Sequence, residues 1–373
     1  MHCLIVVCSA LCGLTAAVPQ KINIQAALAV PTPRVGLGPN AAEAIINGAA
    51  YDQATAIDSV LQRVKSGGVA REATQTKRAA IDDCALQPGG AGPVPGDGSV
   101  NAYLNINNNL RKAARDASTP AGYRREFSDE QAATQQIGYL TYKNLDDGKY
   151  NVQKCADFCN SEEFCIGFNI YFERDPKIKP APVCSNPQPI TNVKCSIYGY
   201  PVSQGTATNK GQYREKFRVV IVGSNGYSKL NPVCKDAPTI ASFDAPTNLD
   251  AAINAPLIKK NGKDYDTYNG MVLFNDFPFD PALCAAACQA QTEYDKKNLV
   301  DSNGEYKPCN FFTSYVLTKN GVPLGTYCAL YTQSWDKSYA VNTGYTSGSD
   351  VYEVICAASY SATFVDPGKV GGA

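Results

Sequence analysis

A four-cysteine pattern occurs twice in this chain. The first copy is Cys155-x3-Cys159, then Cys165, then Cys195; the second is Cys284-x3-Cys288, then Cys309, then Cys328. Covalent staples constrain a fold more tightly than local propensity, because each restricts the unfolded chain. Matched cysteines at matched positions imply two copies of one disulfide-stapled module.

The copies agree beyond their cysteines. Asn151 and Asp280 stand four residues before each first cysteine, and both residue types accept hydrogen bonds from the free N–H groups of a first helical turn. Pro281 suits the first helical position, where a missing N–H costs nothing. Ala285, Ala286 and Ala287 are the strongest helix formers. These signals predict helices over about 152–160 and 281–294. The paired cysteines of each helix lie at i and i+4, on one face, so both reach across to a second element rather than to each other.

An aromatic and β-branched run follows the third cysteine in each copy, over 166–172 and 310–316, and reads as a strand. Phe168 aligns with Phe312 and Tyr171 with Tyr315. At the fourth cysteine, Cys195-Ser196-Ile197-Tyr198 matches Cys328-Ala329-Leu330-Tyr331. A constant offset of 133 then carries Gly211 onto Gly344 and Tyr227 onto Tyr360. Loop length differs: 5 against 20 residues between the second and third cysteines, and 29 against 18 between the third and fourth. Such insertions are tolerated because loop entropy grows slowly with length.

Residues 4–14 form an apolar run too short for a membrane span, followed by the small residues Thr15-Ala16-Ala17. This predicts a secretory signal peptide cleaved after Ala17. Its removal takes Cys3, Cys8 and Cys12 and leaves twelve cysteines, an even number that suits an oxidising compartment. No later stretch is apolar enough to span a membrane, and the Gly-rich end lacks a hydrophobic anchor signal. Lys77-Arg78, shortly before the first retained cysteine, predicts processing after Arg78; a solvated basic pair, like Arg124-Arg125 or Lys259-Lys260, is the alternative. The Ala-rich stretch upstream carries partial helical periodicity at Ile45, Ala49, Ile57, Val60, Leu61 and Val64.

Four cysteines allow three connectivities. The simplest closes each helix end onto the strand, Cys159–Cys165 and Cys288–Cys309. The other helix cysteine then reaches the fourth, Cys155–Cys195 and Cys284–Cys328. Of the remainder, Cys234 and Cys356 bracket the second copy and are paired as its terminal staple, which leaves Cys84–Cys184 for the first.

A helix carrying C-x3-C, a strand after the third cysteine and C-x-[IL]-Y at the fourth resemble a PAN/apple-type module. The phrases GFNIYFERDP (167–176) and GSNGYSK (223–229) resemble secreted ascomycete fungal proteins that carry such modules. The resemblance covers roughly 120–230 and 255–361. It implies an α+β fold of two tandem stapled modules, each a curved antiparallel sheet packed on one helix, of the kind used to bind proteins or carbohydrates. It carries no catalytic residue. The expected organisation is a signal peptide (1–17), an Ala-rich pro-segment or spacer (18–78), a first module (79–228), a linker and second module (229–361) and a flexible tail (362–373). Pro232, Pro238 and Pro246 predict a semi-extended linker.

Composition removes several chemistries. The single histidine, His2, lies in the leader, so Ser-His-Asp and Cys-His catalysis and His-containing zinc sites are excluded from the mature chain. No cofactor or metal is expected. Lys plus Arg and Asp plus Glu balance at 34 each. No basic cluster exceeds two residues, which argues against nucleic acid, since phosphate binding needs clustered Lys and Arg. A carboxylate-pair glycosidase needs only two acids, and Asp146-Asp147, Glu162-Glu163 and Asp264-x-Asp266 supply pairs, although adjacent acids read first as solvated faces. Gly36-x-Gly38-x-x-Ala41 follows no strand and is a weak dinucleotide match. Asp301-Ser302-Asn303-Gly304-Glu305 lacks calcium-loop spacing and reads as a turn.

Beyond Arg78 the chain holds 21 of its 22 tyrosines and its one tryptophan. Trp335, Tyr339 and Tyr345 sit among polar residues after the last matched strand. Amphipathic aromatics on polar loops suit a binding surface; capping the sheet as local core is the other reading. The sequence therefore predicts a secreted, non-catalytic protein that binds an extracellular polysaccharide or glycoprotein. A structural wall or matrix protein and a carboxylate-dependent glycoside hydrolase are the alternatives.

Overall fold

The computed structural model describes residues 22–31, 51–65, 82–230, 237–260 and 262–370. The leader with Ala17, the Gly36–Ala41 match, Ile45, Ala49, Lys77-Arg78, Pro232 and Cys234 lie outside the described residues. Six α-helices are present among the described residues: α1 (Ile24–Ala29), α2 (Gln53–Lys65), α3 (Val100–Leu104), α4 (Asn109–Asp116), α5 (Val152–Ser161) and α6 (Pro281–Asn298).

The fold is α+β, and its strand pairs are antiparallel. In the first large sheet, β1 (Tyr123–Glu130), β2 (Tyr139–Asn144), β3 (Gly167–Pro176), β4 (Pro189–Tyr198) and β5 (Val220–Lys229) take the order β1-β5-β3-β4-β2. In the second, β6 (Thr247–Leu249), β7 (Tyr268–Phe274), β8 (Phe311–Lys319), β9 (Val322–Tyr331) and β10 (Asp350–Ser361) take the order β6-β10-β8-β9-β7, with an edge strand Gly344–Ser347 beside β10.

The two sheets share strand order and register. Phe168 faces Ile197 and Ile170 faces Cys195 in one; Phe312 faces Leu330 and Ser314 faces Cys328 in the other. Each central strand also slips against the last strand at one matched place, between Ile170 and Phe172 and between Ser314 and Val316. The extra residue there is left-handed in both sheets, Gly223 at φ 60° and Cys356 at φ 56°. A bulge of this kind places its first residue at positive φ, which explains the glycine.

The helices begin where the capping residues place them. Asn151 Oδ1 accepts the Lys154 N–H at 3.0 Å, and Asp280 Oδ1 accepts the Ala282 N–H at 2.9 Å. α6 runs to Asn298, beyond the expected end near 294, because residues 295–298 contain neither Gly nor Pro.

Five disulfides are present among the described residues: Cys155–Cys195, Cys159–Cys165, Cys284–Cys328, Cys288–Cys309 and Cys84–Cys184. Cys155–Cys195 and Cys284–Cys328 join the buried face of α5 or α6 to the sheet beneath it, while Cys159–Cys165 and Cys288–Cys309 join it to the loop leading into the central strand. Cys356 is also disulfide-bonded; its expected partner, Cys234, lies outside the described residues.

Aromatic packing under each helix is matched as well. Phe168 stacks on Tyr227 at 5.0 Å with Tyr123 edge-on at 5.1 Å, and Phe312 stacks on Tyr360 at 4.7 Å with Phe243 edge-on at 5.0 Å. Each such pair adds about 0.5–1.5 kcal/mol beyond its buried area.

Three stretches read as peripheral make specific contacts. Within 18–78, expected to be a pro-segment or spacer, α2 packs on α6 through Ala56 and Val60, and α1 buries Ala27 against the second sheet. In the supposed linker, Phe243 and Leu249 enter the core on opposite faces of that sheet. The supposed flexible tail is hydrogen-bonded back: Tyr306 Oη donates to the Asp366 carboxylate at 2.8 Å, and the Asp366 main-chain carbonyl accepts from Asn310 Nδ2 at 2.8 Å.

Candidate binding face

Strand alternation gives each sheet one face toward its helix and one away from it. On β8 and β9 of the second sheet, the face away from α6 presents Phe311, Tyr315 and Leu317 with Tyr327, Ala329 and Tyr331. β7 adds Leu273 and Tyr268. Tyr315 and Tyr327 stack at 4.8 Å, and Tyr268 meets Tyr331 edge-on at 5.8 Å. Burial raises the hydroxyl pKa of Tyr268, Tyr315 and Tyr331, and neighbouring tyrosines raise it further. These groups stay neutral at ordinary pH and act only through hydrogen bonds. Tyr331 Oη donates to the Ile253 carbonyl at 3.3 Å. That bond holds a small ribbon, Ala252–Ile253 paired with Ala340–Asn342, over the face.

Trp335 stands at the rim. Its Nε1–H donates to Thr267 Oγ1 at 3.1 Å, and its ring meets Tyr339 edge-on at 4.8 Å. The indole is half-buried against the tyrosine cluster, while Tyr339 is 38% exposed. Trp335 is thus both part of the local core and part of a surface pair. Tyr345 does not join them: it lies on the edge strand, opposite Tyr352, and is exposed.

The corresponding face of the first sheet has different chemistry. Lys194 takes the place of Tyr327 and Glu173 that of Leu317. Lys194 Nζ lies 2.6 Å from Glu173 Oε1 and 3.3 Å from Asp175 Oδ2, with all three side chains buried. Asn192 Nδ2 donates to Asp175 Oδ2 at 2.7 Å, and Asn192 Oδ1 accepts the Gly90 N–H at 2.7 Å, which closes that end of the face. Burial, reinforced by Asp175, pushes the Glu173 carboxyl up to about 8 despite Lys194. Burial alone would lower the Lys194 ammonium, but Asp175 and Glu173 together hold it above its ordinary value. Two carboxylates facing one ammonium retain a proton between them near neutrality.

Reading adjacent acids along the sequence missed this triad. The available signal was two carboxylates at i and i+2 inside a strand, therefore on one face, with a lysine inside the partner strand. The acid pairs adjacent in sequence lie elsewhere. Asp147 is partly exposed and bonded to Lys154 at 2.7 Å, which lowers its pKa, and exposed Asp264 pairs with Lys259 at 2.6 Å. Glu162 and Glu163 lie at the end of α5. Asp301 Oδ1 accepts the Asn303 and Glu305 N–H groups at 2.8 Å, closing a turn.

An open cleft of about 440 Å³ lies between residues 117–121 and 149–153, at the start of α5. No acid or aromatic pair converges on it. Among the described residues, no group of three or more His, Cys, Asp or Glu is placed to hold a metal ion, and no helix is long and apolar enough to cross a membrane. Comparison with known proteins returned no match: no family model, no curated protein and no solved structure matches this chain.

Proposed function

We propose that the chain is a secreted, non-catalytic binding protein built from two tandem PAN/apple-like modules, which recognises an extracellular carbohydrate or protein. The observation that carries this reading is the Trp335–Tyr339 pair, seated at the rim of a face built from tyrosines on the second sheet. Aromatic side chains with one apolar face and one polar edge supply contact area at low entropic cost. The shared strand order, register and bulge of the two sheets support the tandem reading. Five disulfides support an oxidising compartment.

The glycosidase alternative needs two carboxylates that flank a substrate bond. Glu173 and Asp175 are buried neighbours on one strand, and both lie against the buried Lys194. A sugar has no access to them, which favours binding over hydrolysis.

The test is retention of the oxidised full-length protein on fungal and plant wall polysaccharides, alongside a pull-down of extracellular proteins. Trp335→Ala is expected to lower retention tenfold or more, which is about 1.4 kcal/mol, measured below the variant's own melting transition, which loss of the half-buried indole lowers. Unchanged retention by Trp335→Ala would sink the proposed face. Association that resists high salt and ignores Trp335 would point to a structural wall protein instead.

A further inference from the structure

The tyrosine face is already occupied by a piece of this chain. Residues Ile22–Pro31 cross it, with α1 burying Ala27 and setting Ile22, Ile24 and Val30 against the cluster. The fit leaves only about 10 Å³ of space among Ile22, Ile253, Tyr268, Tyr315, Tyr327 and Tyr331. Among the described residues, two polar contacts join the segment to the body, and both address its main chain. The Asn23 N–H donates to Tyr327 Oη at 3.2 Å, and the Pro31 carbonyl accepts from Asn275 Nδ2 at 2.9 Å. Apolar side chains packed on the sheet while side chains of the body read peptide N–H and C=O groups is the grammar of peptide recognition.

The first sheet offers no counterpart. Where Tyr327 stands, it has Lys194, sealed in its ion triad. The position matching Asn275 is Asp146, an exposed acid. The peptide-reading groups therefore belong to the second sheet alone and are not required by the shared scaffold.

We infer that this face is a peptide-binding site held in cis by Ile22–Pro31, and that its ligand in trans is a short apolar, alanine-rich peptide segment of a protein partner. The inference rests on the reading of this face as a binding surface and narrows its ligand from carbohydrate or protein to peptide. The cis segment is joined to α2 through residues 32–50, so it competes at an effective concentration on the order of millimolar. The partner must displace it, which makes α1 a built-in competitor. The segment is held by two neutral hydrogen bonds, the buried Ala27 and the partly buried Ile22, Ile24 and Val30, with no ion pair or disulfide among these contacts, so a competing apolar peptide offers the same kinds of contact. Each such hydrogen bond contributes about 0.5–1.5 kcal/mol.

A fluorescent peptide with the sequence of Ile22–Pro31 is titrated onto the oxidised full-length chain. The wild type is expected to bind it only at millimolar concentration. Ala27→Glu places a charge against the apolar cluster, frees the cis segment and is expected to bind the peptide at least tenfold tighter. Adding Asn275→Ala in that background should weaken binding about three- to tenfold. If Ala27→Glu frees the amides of residues 24–30 to hydrogen exchange and the peptide binds no better, the inference is overturned. Should that variant fail to fold, excess peptide added to the wild type is expected to speed exchange of those same amides; no acceleration at about 10 mM peptide also overturns it. Peptide binding that survives Trp335→Ala, in a protein that no polysaccharide or extracellular protein retains through Trp335, keeps this site and removes the rim from it.

Discussion

The two sheets have one register and two chemistries. On the faces toward α5 and α6, the pattern is nearly repeated: disulfides at matched positions and a stacked Phe–Tyr pair with a third ring edge-on. On the faces away from the helices, the first sheet buries Lys194 between Glu173 and Asp175, and the second stacks Tyr315 on Tyr327. A buried ion triad tolerates little change, because each member depends on the others. A tyrosine layer is neutral and amphipathic, and here it is covered by a separate segment, Ile22–Pro31, rather than closed by its own side chains. The difference teaches that a shared scaffold leaves the face away from its helix open to different chemistry, and on the reading proposed above only the second sheet's face takes a ligand.

Breaking the triad should give the largest effect. Lys194→Met leaves Glu173 and Asp175 buried without their cation and is expected to cost about 3–5 kcal/mol, read by urea unfolding of the oxidised protein. Making Glu173→Leu in the same chain copies Leu317 of the second sheet and should recover part of that loss. A loss under about 1 kcal/mol for Lys194→Met would mean that solvent reaches the triad. Its pH dependence follows from Glu173, whose carboxyl is pushed up to about 8 in the folded protein. The folded state binds this proton more tightly than the unfolded chain does. The stabilisation is complete below the ordinary carboxylate range and is lost as pH rises through about 8. Glu173→Gln should flatten that decline between pH 5 and 8, and an unchanged slope would refute the assignment.

The staples should separate the two units next. Cys155–Cys195 and Cys284–Cys328 close similar spans, with separations of 40 and 44 residues. Replacing either pair by alanine is expected to cost about 4 kcal/mol on the chain-entropy account. The helix-end pairs close unequal spans, 6 residues for Cys159–Cys165 and 21 for Cys288–Cys309. Their loss should cost about 2 and 3 kcal/mol respectively. Equal costs for the two helix-end pairs would show that enthalpy, rather than loop closure, sets their worth.

How much of this could be read from the sequence divides along the same line. The helix starts at Asn151 and Asp280, the strands after Cys165 and Cys309 and the alignment of Tyr227 with Tyr360 were legible, because caps, strand residues and constant offsets are local signals. The triad was not, since Lys194 and Glu173 are 21 residues apart and meet only through strand register. The placement of Ile22–Pro31 on the second sheet was hidden for the same reason. Asn23 and Tyr327 are 304 residues apart, and nothing near either one announces the other. Trp335 was visible as an aromatic on a polar loop, but its bond to Thr267 and its place at the rim came from the packing of β7 against β9. Phe243 fell in a Pro-rich stretch whose composition favours a linker, and burial against Phe312 overrode that preference.

The smallest effect tests whether the sheets share one backbone design. The bulge on the last strand is left-handed in both, at Gly223 and at Cys356. A Cβ added to Gly223 would lie 3.1 Å from the Ala114 Cβ and 3.2 Å from Phe172 Cδ2. Gly223→Ala should therefore cost about 1–2 kcal/mol from the left-handed backbone, plus what that contact adds. At Cys356 the same strain is already present, and its disulfide holds the residue there. Cys356→Ala and Cys356→Gly both lose the disulfide, so the difference between them reports the backbone alone. Cys356→Gly is expected to unfold about 1 kcal/mol later than Cys356→Ala, because glycine adopts positive φ without steric cost. Were the two variants equally stable, the match between the bulges would be one of register and not of conformation. The second sheet would then have reached its bend by a route the first did not take.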